Sequence, residues 1–456
     1  MNRNLRVLFV DDEPKVLDGL RRMLHPMRDQ WDTSFAPGGP EALAILARRP
    51  FDVIVADMRM PKMTGAELLQ AVRRGYPTIA RLVLSGQASH KTILAAVTQT
   101  HQYLPKPCKS ETLRHVLGRL SALRELLVSE RLRGAITGLQ CLPSHPSRHR
   151  RFVEGAQSPD TPVELLGQIV ARDLAMSAKV LQLVSSAFFG QPKQGLGPEE
   201  AVSFLGLDIV RALACSHDVF RPLRDGRSVP LIETLSRHSL LVAQIAKAIA
   251  QDAGAQVELV QQAYVGGMLH DIGKLLLTAE LPQEVASKPP DTAAWKPHYD
   301  QAVPGGAAGE GAEVEPGGRQ AAIECGLENS RLGDLPGHGE IGAYLLGLWG
   351  LPDPVVEAVA FHRQPSRSGL RAAVNRGLET SAPGASAFSP LAAVHAAEAL
   401  VRNSERHAGT GLPAGLDAGY LGAAGLLERL PTWQQICRQV MEKEAAYERE
   451  DTLCRR

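Results

Sequence analysis

The sequence predicts two architectures in one chain, an α/β unit built on a parallel sheet and an all-helical unit behind it. Over residues 1–120, short apolar runs alternate with amphipathic stretches, the rhythm of repeated βα units. Beyond residue 135 strand signals almost vanish and helix-start signals dominate. A length of 456 residues also exceeds what one compact core ordinarily holds, which favours two or three domains.

Four near-continuous apolar runs, Val7–Val10, Val53–Ala56, Leu82–Leu84 and Tyr103–Leu104, read as strands covered by helices on both sheet faces. A fifth, Thr33–Ala36, is weaker. From Ser110 to Gly134, Leu113, Val116, Leu120, Leu123 and Leu127 fall at alternating steps of three and four, which is heptad spacing. Two readings stay open there. The helix packs its first half on the α/β unit and runs into a linker, or it continues over 110–134 as a signalling helix that pairs protomers into a homodimer.

In the second unit, Thr161-Pro162-Val163-Glu164 offers a capping hydroxyl, a proline at the first helical position and a glutamate three residues after the cap. Pro198-Glu199-Glu200 opens another helix in the same way. Residues 287–318 are rich in Pro, Gly and Ala and poor in branched apolar residues, so they read as a disordered insertion. A similar stretch at 366–389 is less clear. The expected division is therefore 1–120, a helical linker over 121–134, a helical domain over 135–402 and a helical extension over 403–456.

Charge and cysteine usage exclude several classes. Lys plus Arg number 50 against 49 for Asp plus Glu, so no strong field attracts nucleic acid or acidic lipid. No helix-turn-helix, zinc finger or basic stripe is evident. The six cysteines are scattered with no CxxC pair, which argues against a disulfide framework or thiolate zinc and fits a reducing compartment. Neither a signal peptide nor a membrane span is visible, and a cytoplasmic location is expected.

Three acidic positions sit at strand ends, Asp11 and Asp12 after the first strand and Asp57 after the third. In a parallel sheet the carboxyl ends of the strands share one edge, where ligands bind. Converging carboxylates repel unless a cation neutralises them, and an oxygen-only set suits Mg²⁺. A carboxylate beside Mg²⁺ can attack a phosphoryl group, which would leave an acyl phosphate on Asp57. Ser85 ends the fourth strand with a hydroxyl and Lys106 ends the fifth with a cation, each suited to a phosphoryl oxygen. One acidic pair alone could simply complement a helix dipole.

The motifs VDDE at 10–13, DMRMPKMTG at 57–65, LSG at 84–86 and YLPKP at 103–107 resemble the receiver domains of two-component response regulators across the whole first unit. The resemblance implies a flavodoxin-like fold with a five-stranded parallel sheet. It implies Mg²⁺ held by Asp12, Asp57 and the backbone carbonyl of Arg59 with help from Asp11, and phosphoryl transfer to Asp57 from a sensor histidine kinase. It further implies Ser85 and Tyr103 as the coupled pair that reports phosphorylation, and a cis bond between Lys106 and Pro107.

His270-Asp271 lies in the apolar segment YVGGMLHDIGKLLL, where a buried imidazole and carboxylate need partners. His238, His338, His362 and Glu398 are candidates on other helical stretches. Their order resembles the metal-binding pattern of HD phosphohydrolases. The segments at 159–190, 201–213, 344–362 and around His270 resemble, more specifically, the HDOD domain, an HD-related output domain. Two departures stand out: Ser185-Ser186 replaces the usual Asn-Ser, and His362-Arg363 replaces a paired His-His.

Two functions follow from that resemblance. In the first, the HDOD domain is a non-catalytic signalling module that acts on a downstream protein. In the second, a divalent ion held by the histidines activates water against a phosphoester or a cyclic dinucleotide, with Lys274 on a phosphate. No Gly-Tyr-Pro follows His362, as it would in the related HD-GYP phosphodiesterases. His217 and His395 fall outside the pattern and read as surface or satisfied core residues. Gly337 to Gly342 spells GxGxxG but follows no predicted strand, so a dinucleotide site is not supported.

Overall fold

A computed structural model of the chain describes residues 4–86, 97–139, 141–186, 195–214, 216, 219–223, 229–279, 337–368, 388–405 and 412–454. The insertion expected at 287–318, residues 369–387 of the second Pro/Gly-rich stretch, and His217 lie outside them.

The first unit carries five parallel strands, β1 (Leu5–Val10), β2 (Trp31–Ala36), β3 (Val53–Ala56), β4 (Ala80–Ser85) and β5 (Gln102–Pro105), in the order β2-β1-β3-β4-β5. Every residue of β3 is buried, as a central strand between two helical layers requires. β2 is buried only at its ends, which is why its hydrophobic signal was weak. Between its strands run α1 (Pro14–Leu24), α2 (Gly39–Leu46) and α3 (Gly65–Gly75). Thr64 and Glu67 form a reciprocal capping box that fixes where α3 begins, directly behind the Asp57 loop.

After β5 comes α4 (Ser110–Leu126), and it stops. Leu127 leaves the helical region with φ −115° and ψ 88°, and the Ser129 hydroxyl accepts the Leu132 N–H to start α5 (Glu130–Gly138). Arg133 Nη1 spans the break, donating to the carbonyls of Leu127 at 2.6 Å and Val128 at 2.8 Å. The continuous 110–134 helix is thus replaced by two helices and a capped corner. The heptad stripe of Leu113, Val116, Leu120, Leu123 and Leu127 is buried inside the single chain, so it is not open to pair protomers while the two units are docked.

The remaining described elements are mostly helical: α6 (Pro146–Gln157), α7 (Val163–Ala171), α8 (Leu174–Ser185), α9 (Pro198–Leu205), α10 (Leu207–Ala214), α11 (Val229–Asp252), α12 (Val257–Leu269), α13 (Ile272–Ala279), α14 (His338–Leu348), α15 (Asp353–Phe361), α16 (Pro390–Glu405), α17 (Ala418–Ala423) and α18 (Leu430–Cys454). Pro143–Ser144 and Arg221–Pro222 add a two-residue parallel bridge. The Thr161 cap is corrected: Pro162 takes the extended cap position with ψ 147° and no side-chain cap, so α7 starts one residue later than expected. Pro198 opens α9 as expected, with Gly197 at the cap and Glu200 accepting its N–H at 2.6 Å.

The two units share an interface along β5 and α4. β5 ends the sheet, and an open edge leaves backbone groups without partners. Side chains of α8 and the residue after it take them up. Ser186 Oγ accepts the Tyr103 N–H at 2.6 Å and donates to the Tyr103 carbonyl at 3.2 Å, while Gln182 Nε2 donates to the His101 carbonyl at 3.0 Å. Gln102 in turn donates to the Leu348 carbonyl at 2.8 Å, and the buried Arg119 of α4 donates to the Leu351 carbonyl at 3.0 Å.

Candidate functional site

The strand order reverses between β1 and β3, and the carboxyl ends of those two strands carry the acidic residues. Asp11 is buried and its Oδ1 accepts the Glu13 N–H at 3.0 Å. Asp57 is buried and its Oδ2 accepts the Arg59 N–H at 2.9 Å. Lys106 Nζ contacts both, at 2.6 Å from Asp11 Oδ2 and 3.0 Å from Asp57 Oδ1. Burial works against the ammonium, but the bonds to Asp11 and Asp57 outweigh it and raise its pKa. Asp12 sits half-buried next in the chain. Two buried carboxylates converging on one cation, with only oxygen donors nearby, fit a hard divalent ion.

Gly65 backs this pocket closely: a Cβ there would lie 2.1 Å from the Asp57 carbonyl oxygen. The Tyr103 hydroxyl donates to the Gly86 carbonyl at 3.2 Å, and its ring is buried. The Lys106–Pro107 bond is cis, as the resemblance implied. The side chain of Ser85 lies outside the described residues.

In the helical unit, α11, the α12–α13 junction, α14, α15 and α16 bring His238, His270, Asp271, His338, His362 and Glu398 together in one cluster. His270 and Asp271 are fully buried, and His338, His362 and Glu398 are nearly so. His238 Nε2 lies 2.8 Å from Glu398 Oε2 and 3.9 Å from Asp271 Oδ2. His270 Nε2 lies 3.3 Å from Glu398 Oε2 and 3.4 Å from Asp271 Oδ2. His338 Nε2 is 3.2 Å from both Asp271 Oδ1 and His362 Nε2. Glu398 thus joins the histidines in the same cluster.

Burial penalises ionised carboxyls, yet His270 and Lys274 hold Asp271 well below the usual carboxylate range, and His238 and His270 do the same to Glu398. Burial pushes His362 far down and His338 down, so both rings are neutral. Burial also opposes charge on His270, but Asp271 and Glu398 raise its pKa. The cluster thus stabilises positive charge between those two carboxylates.

The donor set fits a divalent metal. Glu398 Oε1 is buried without a hydrogen-bond partner, and His270 Nε2 and Asp271 Oδ1 make only the long contacts given above, a set that a cation would satisfy. His238, His270 and Glu398 form one set of ligand atoms mutually within 4.8 Å, and His270, Asp271 and His362 form another. Lys274, expected on a phosphate, instead bonds Asp271 Oδ2 at 2.7 Å. His395 is a satisfied core residue, its Nδ1 donating to the His362 carbonyl at 2.6 Å and its Nε2 accepting the Asp417 N–H at 2.8 Å.

A family model described as the response regulator receiver domain matches residues 7–118, and one described as the HDOD domain matches residues 142–291. This chain joins a receiver domain to an HDOD domain. The HDOD match covers His238, His270, Asp271 and Lys274, whereas His338, His362 and Glu398 follow it. Hydrogenase transcriptional regulatory protein HoxA of Cupriavidus necator is 29% identical over 41% of this chain and 40% of its own length. Response regulator protein PilR of Pseudomonas aeruginosa is 31% identical over 30% of this chain and 32% of its own. The chain thus spans less than half the length of either relative. A solved response regulator receiver domain protein from Clostridium thermocellum is 27% identical, with 27% of this chain and 98% of that chain covered and a TM-score of 0.25.

Several participants escaped sequence reading. Ser186 figured only as the neighbour of Ser185, which departs from the usual Asn of the HDOD pattern, Gln182 only as part of the 159–190 segment, and Gln102 and Arg119 carried no motif at all. Arg363 and Arg402 approach Glu398 Oε1 at 3.8 and 3.9 Å, and the first of these was noted only as a lost ligand.

Proposed function

We propose that this chain is a cytoplasmic phosphorelay response regulator in which phosphorylation of Asp57 controls the HDOD domain as a signalling output. A sensor histidine kinase supplies the phosphoryl group. An Asp57 carboxylate oxygen attacks phosphorus, the phosphorus–nitrogen bond of the kinase phosphohistidine breaks, and an acyl phosphate forms. Asp11, Asp12, Asp57 and the Arg59 carbonyl would hold Mg²⁺, which lowers the repulsion between the two anions. Lys106, already within 3.0 Å of Asp57, is placed to pair with the new phosphoryl oxygens.

The observation that carries this reading is the backbone of Tyr103, a residue at the reporting position of the receiver, bonded by Ser186 of the HDOD domain. A shift of β5 when the phosphoryl group draws on Lys106 and Tyr103 must strain those bonds. Each is worth about 1 kcal/mol net, so a small set of them makes a two-state contact that added charge can tip. The route runs through β5 and α8, because α4 ends before the corner at Leu127.

Hydrogen exchange on the full chain tests this. Acetyl phosphate with Mg²⁺ should raise exchange in segments covering residues 101–105 and 174–186 of the wild type and leave Asp57→Asn unchanged. Unaltered exchange in a demonstrably phosphorylated wild type would refute the route.

A second reading is favoured by one specific observation, the convergence of six metal-competent side chains. Under it the HDOD domain is a metal-dependent phosphohydrolase acting on phosphoesters or cyclic dinucleotides. His238, His270, Asp271, His338, His362 and Glu398 would hold the metal, which would supply Lewis acidity and a hydroxide. Phosphate release that disappears in Asp271→Asn would establish it, and no release with stoichiometric metal bound would leave the signalling module.

A further inference from the structure

We infer that the cavity enclosed by the receiver, the two linker helices and the HDOD domain binds one phosphate monoester dianion, bonded by Arg6 and Arg124 in the field of Arg133. This cavity, of about 270 Å³, lies at the amino ends of the parallel strands, the opposite rim of the sheet from Asp57. Arg6 on β1 and Asp52 just before β3 supply the receiver wall. Arg124 of α4 and Arg133 of α5 supply the linker wall, and Tyr344 of α14 the HDOD wall. The cavity shares no lining residue with the phosphorylation pocket or with the histidine cluster.

The charges around it do not balance. The side chains of Arg6, Arg124 and Arg133 are 15%, 23% and 13% exposed, and a guanidinium keeps its proton. Against them stands one largely buried carboxylate, Asp52. Burial opposes its charge, but the bonds from Arg6 hold its pKa below the ordinary value, so it is ionised. Arg6 Nε and Nη2 grip it at 3.0 and 2.8 Å, and Arg124 Nη1 reaches it at 2.9 Å. Glu130 is 84% exposed and 3.6 Å from Arg133 Nη2, so water screens it. Three guanidinium charges against one buried carboxylate leave an excess of two, close to the charge of a phosphate monoester near neutral pH.

Unused donors accompany the unbalanced charge. Among the described residues, Arg6 Nη1 and Arg124 Nε and Nη2 have no hydrogen-bond partner, and none of these nitrogens is sealed from solvent. Guanidinium N–H groups in this state suit the oxygens of a phosphoryl group. Arg6 also pins β1 to Asp52, and Arg133 Nη1 holds the corner through the Leu127 and Val128 carbonyls. Arg124 has neither task, since its side chain meets Asp52 alone among the described residues. A volume of about 270 Å³ is at the small end of ligand pockets and admits one phosphoryl group with a short organic remainder, not a dinucleotide. Phe51 and Leu120 give that remainder an apolar surface. Because the walls come from three parts of the chain, the anion is bound by the docked arrangement and stabilises it by mass action.

The full-length chain is kept in a chelator without Mg²⁺, which removes metal-assisted phosphate binding at Asp57 and at the histidine cluster. At about pH 8, where phosphoryl probes are dianions, it is titrated calorimetrically with inorganic phosphate, glycerol phosphate, malonate and a cyclic dinucleotide. Saturable uptake of one phosphate or glycerol phosphate per wild-type chain at millimolar concentration or below is expected. It should be unchanged in Asp57→Asn and at least about tenfold weaker in Arg124→Ala. Tighter binding of glycerol phosphate identifies a phosphorylated metabolite as the ligand and equal binding identifies free phosphate, and either result supports the site. Arginine modification by phenylglyoxal, mapped by mass spectrometry, needs no variant: phosphate should slow the reaction of wild-type Arg124 and leave the exposed Arg22 unaffected. No uptake by the wild type, undiminished uptake by folded Arg124→Ala, or equal modification of Arg124 with and without phosphate would overturn the inference. Malonate or the dinucleotide binding more tightly than both phosphates would overturn the ligand class.

Discussion

The hydroxyl of Ser186 stands 2.6 Å from the amide nitrogen of Tyr103 and 3.2 Å from its carbonyl oxygen, so one HDOD side chain satisfies both backbone groups of a receiver edge residue. If phosphorylation loosens this contact, removing the contact must favour phosphorylation by the same free energy, because linkage is reciprocal. Ser186→Ala leaves a buried N–H unpartnered, a loss of about 1–3 kcal/mol. Phosphoryl occupancy of Ser186→Ala at limiting acetyl phosphate should therefore exceed the wild-type level, with an equilibrium shift of about fivefold or more. Phosphate-affinity electrophoresis measures it. Equal occupancy in the two proteins would mean that the Ser186 contact is indifferent to the state of Asp57.

The receiver pocket makes a separate demand at Gly65. An added Cβ meets the Asp57 carbonyl oxygen at 2.1 Å and Met58 Cα at 2.9 Å, both backbone atoms that cannot step aside without moving Asp57. Gly65→Ala should lose most phosphoryl acceptance and lower the receiver's unfolding free energy by about 1–3 kcal/mol. At Gly75 nothing lies within 4 Å of an added Cβ, so Gly75→Ala should keep both properties. Mass spectrometry after acetyl phosphate and urea denaturation compare the pair, and a fully phosphorylated Gly65→Ala protein would contradict the close-packing argument.

Much of this was legible in the sequence because the receiver encodes its site locally. β1 and β3 are short apolar runs that end on acids, and their parallel order brings Asp11 and Asp57 to one edge with Lys106 between them. The HDOD cluster was legible as residue types and as an order, since His and Asp in apolar helices stand out. Which oxygen faces which nitrogen depends on helix packing distant in sequence, as between His238 and Glu398. The docking of the two domains was not legible. Its contacts run from Ser186, Gln182 and Gln102 to backbone groups, and a backbone acceptor has no sequence signature. The heptad stripe left its partner open for a related reason: spacing shows that a face is apolar, and here the occupant of that face is the same chain.

Lys179 gives the interface a pH signature. It is buried, donates to Gln182 Oε1 at 2.9 Å and stands over the Trp349 ring at 5.5 Å. Burial pushes its pKa down to about 8 from 10.5. The folded state therefore binds this proton less tightly than the unfolded chain, and stability contributed at this site rises with pH between about 8 and 10.5. At pH 7 the wild type carries the full penalty of a buried charge, up to about 3 kcal/mol. Lys179→Met carries none at any pH. Its unfolding midpoint relative to wild type should be highest near pH 7 and should fall as pH rises from about 8 toward 10. A difference that stays constant across this window would show that the ammonium is solvated.

Metal should also act on stability through the HDOD cluster, because an ion that binds only the folded arrangement stabilises it by mass action, about 2.7 kcal/mol at a hundredfold excess over Kd. Zinc should raise the HDOD unfolding midpoint of the wild type, with the receiver held in Mg²⁺. Glu398→Gln keeps the size of the side chain but removes the charge that lies 2.8 Å from His238 and 3.3 Å from His270, so it should lose most of that rise. Gly273→Ala should lose it by a different cause, since an added Cβ would fall 1.9 Å from the His338 carbonyl oxygen and force α13 away from α14. Differential scanning calorimetry with and without zinc distinguishes the two variants. Without zinc, Glu398→Gln should lose only the attraction of His238 and His270 for the carboxylate, whereas Gly273→Ala, with its helices forced apart, should unfold further below the metal-free wild type. A zinc-dependent rise undiminished in Glu398→Gln would remove that carboxylate from the site.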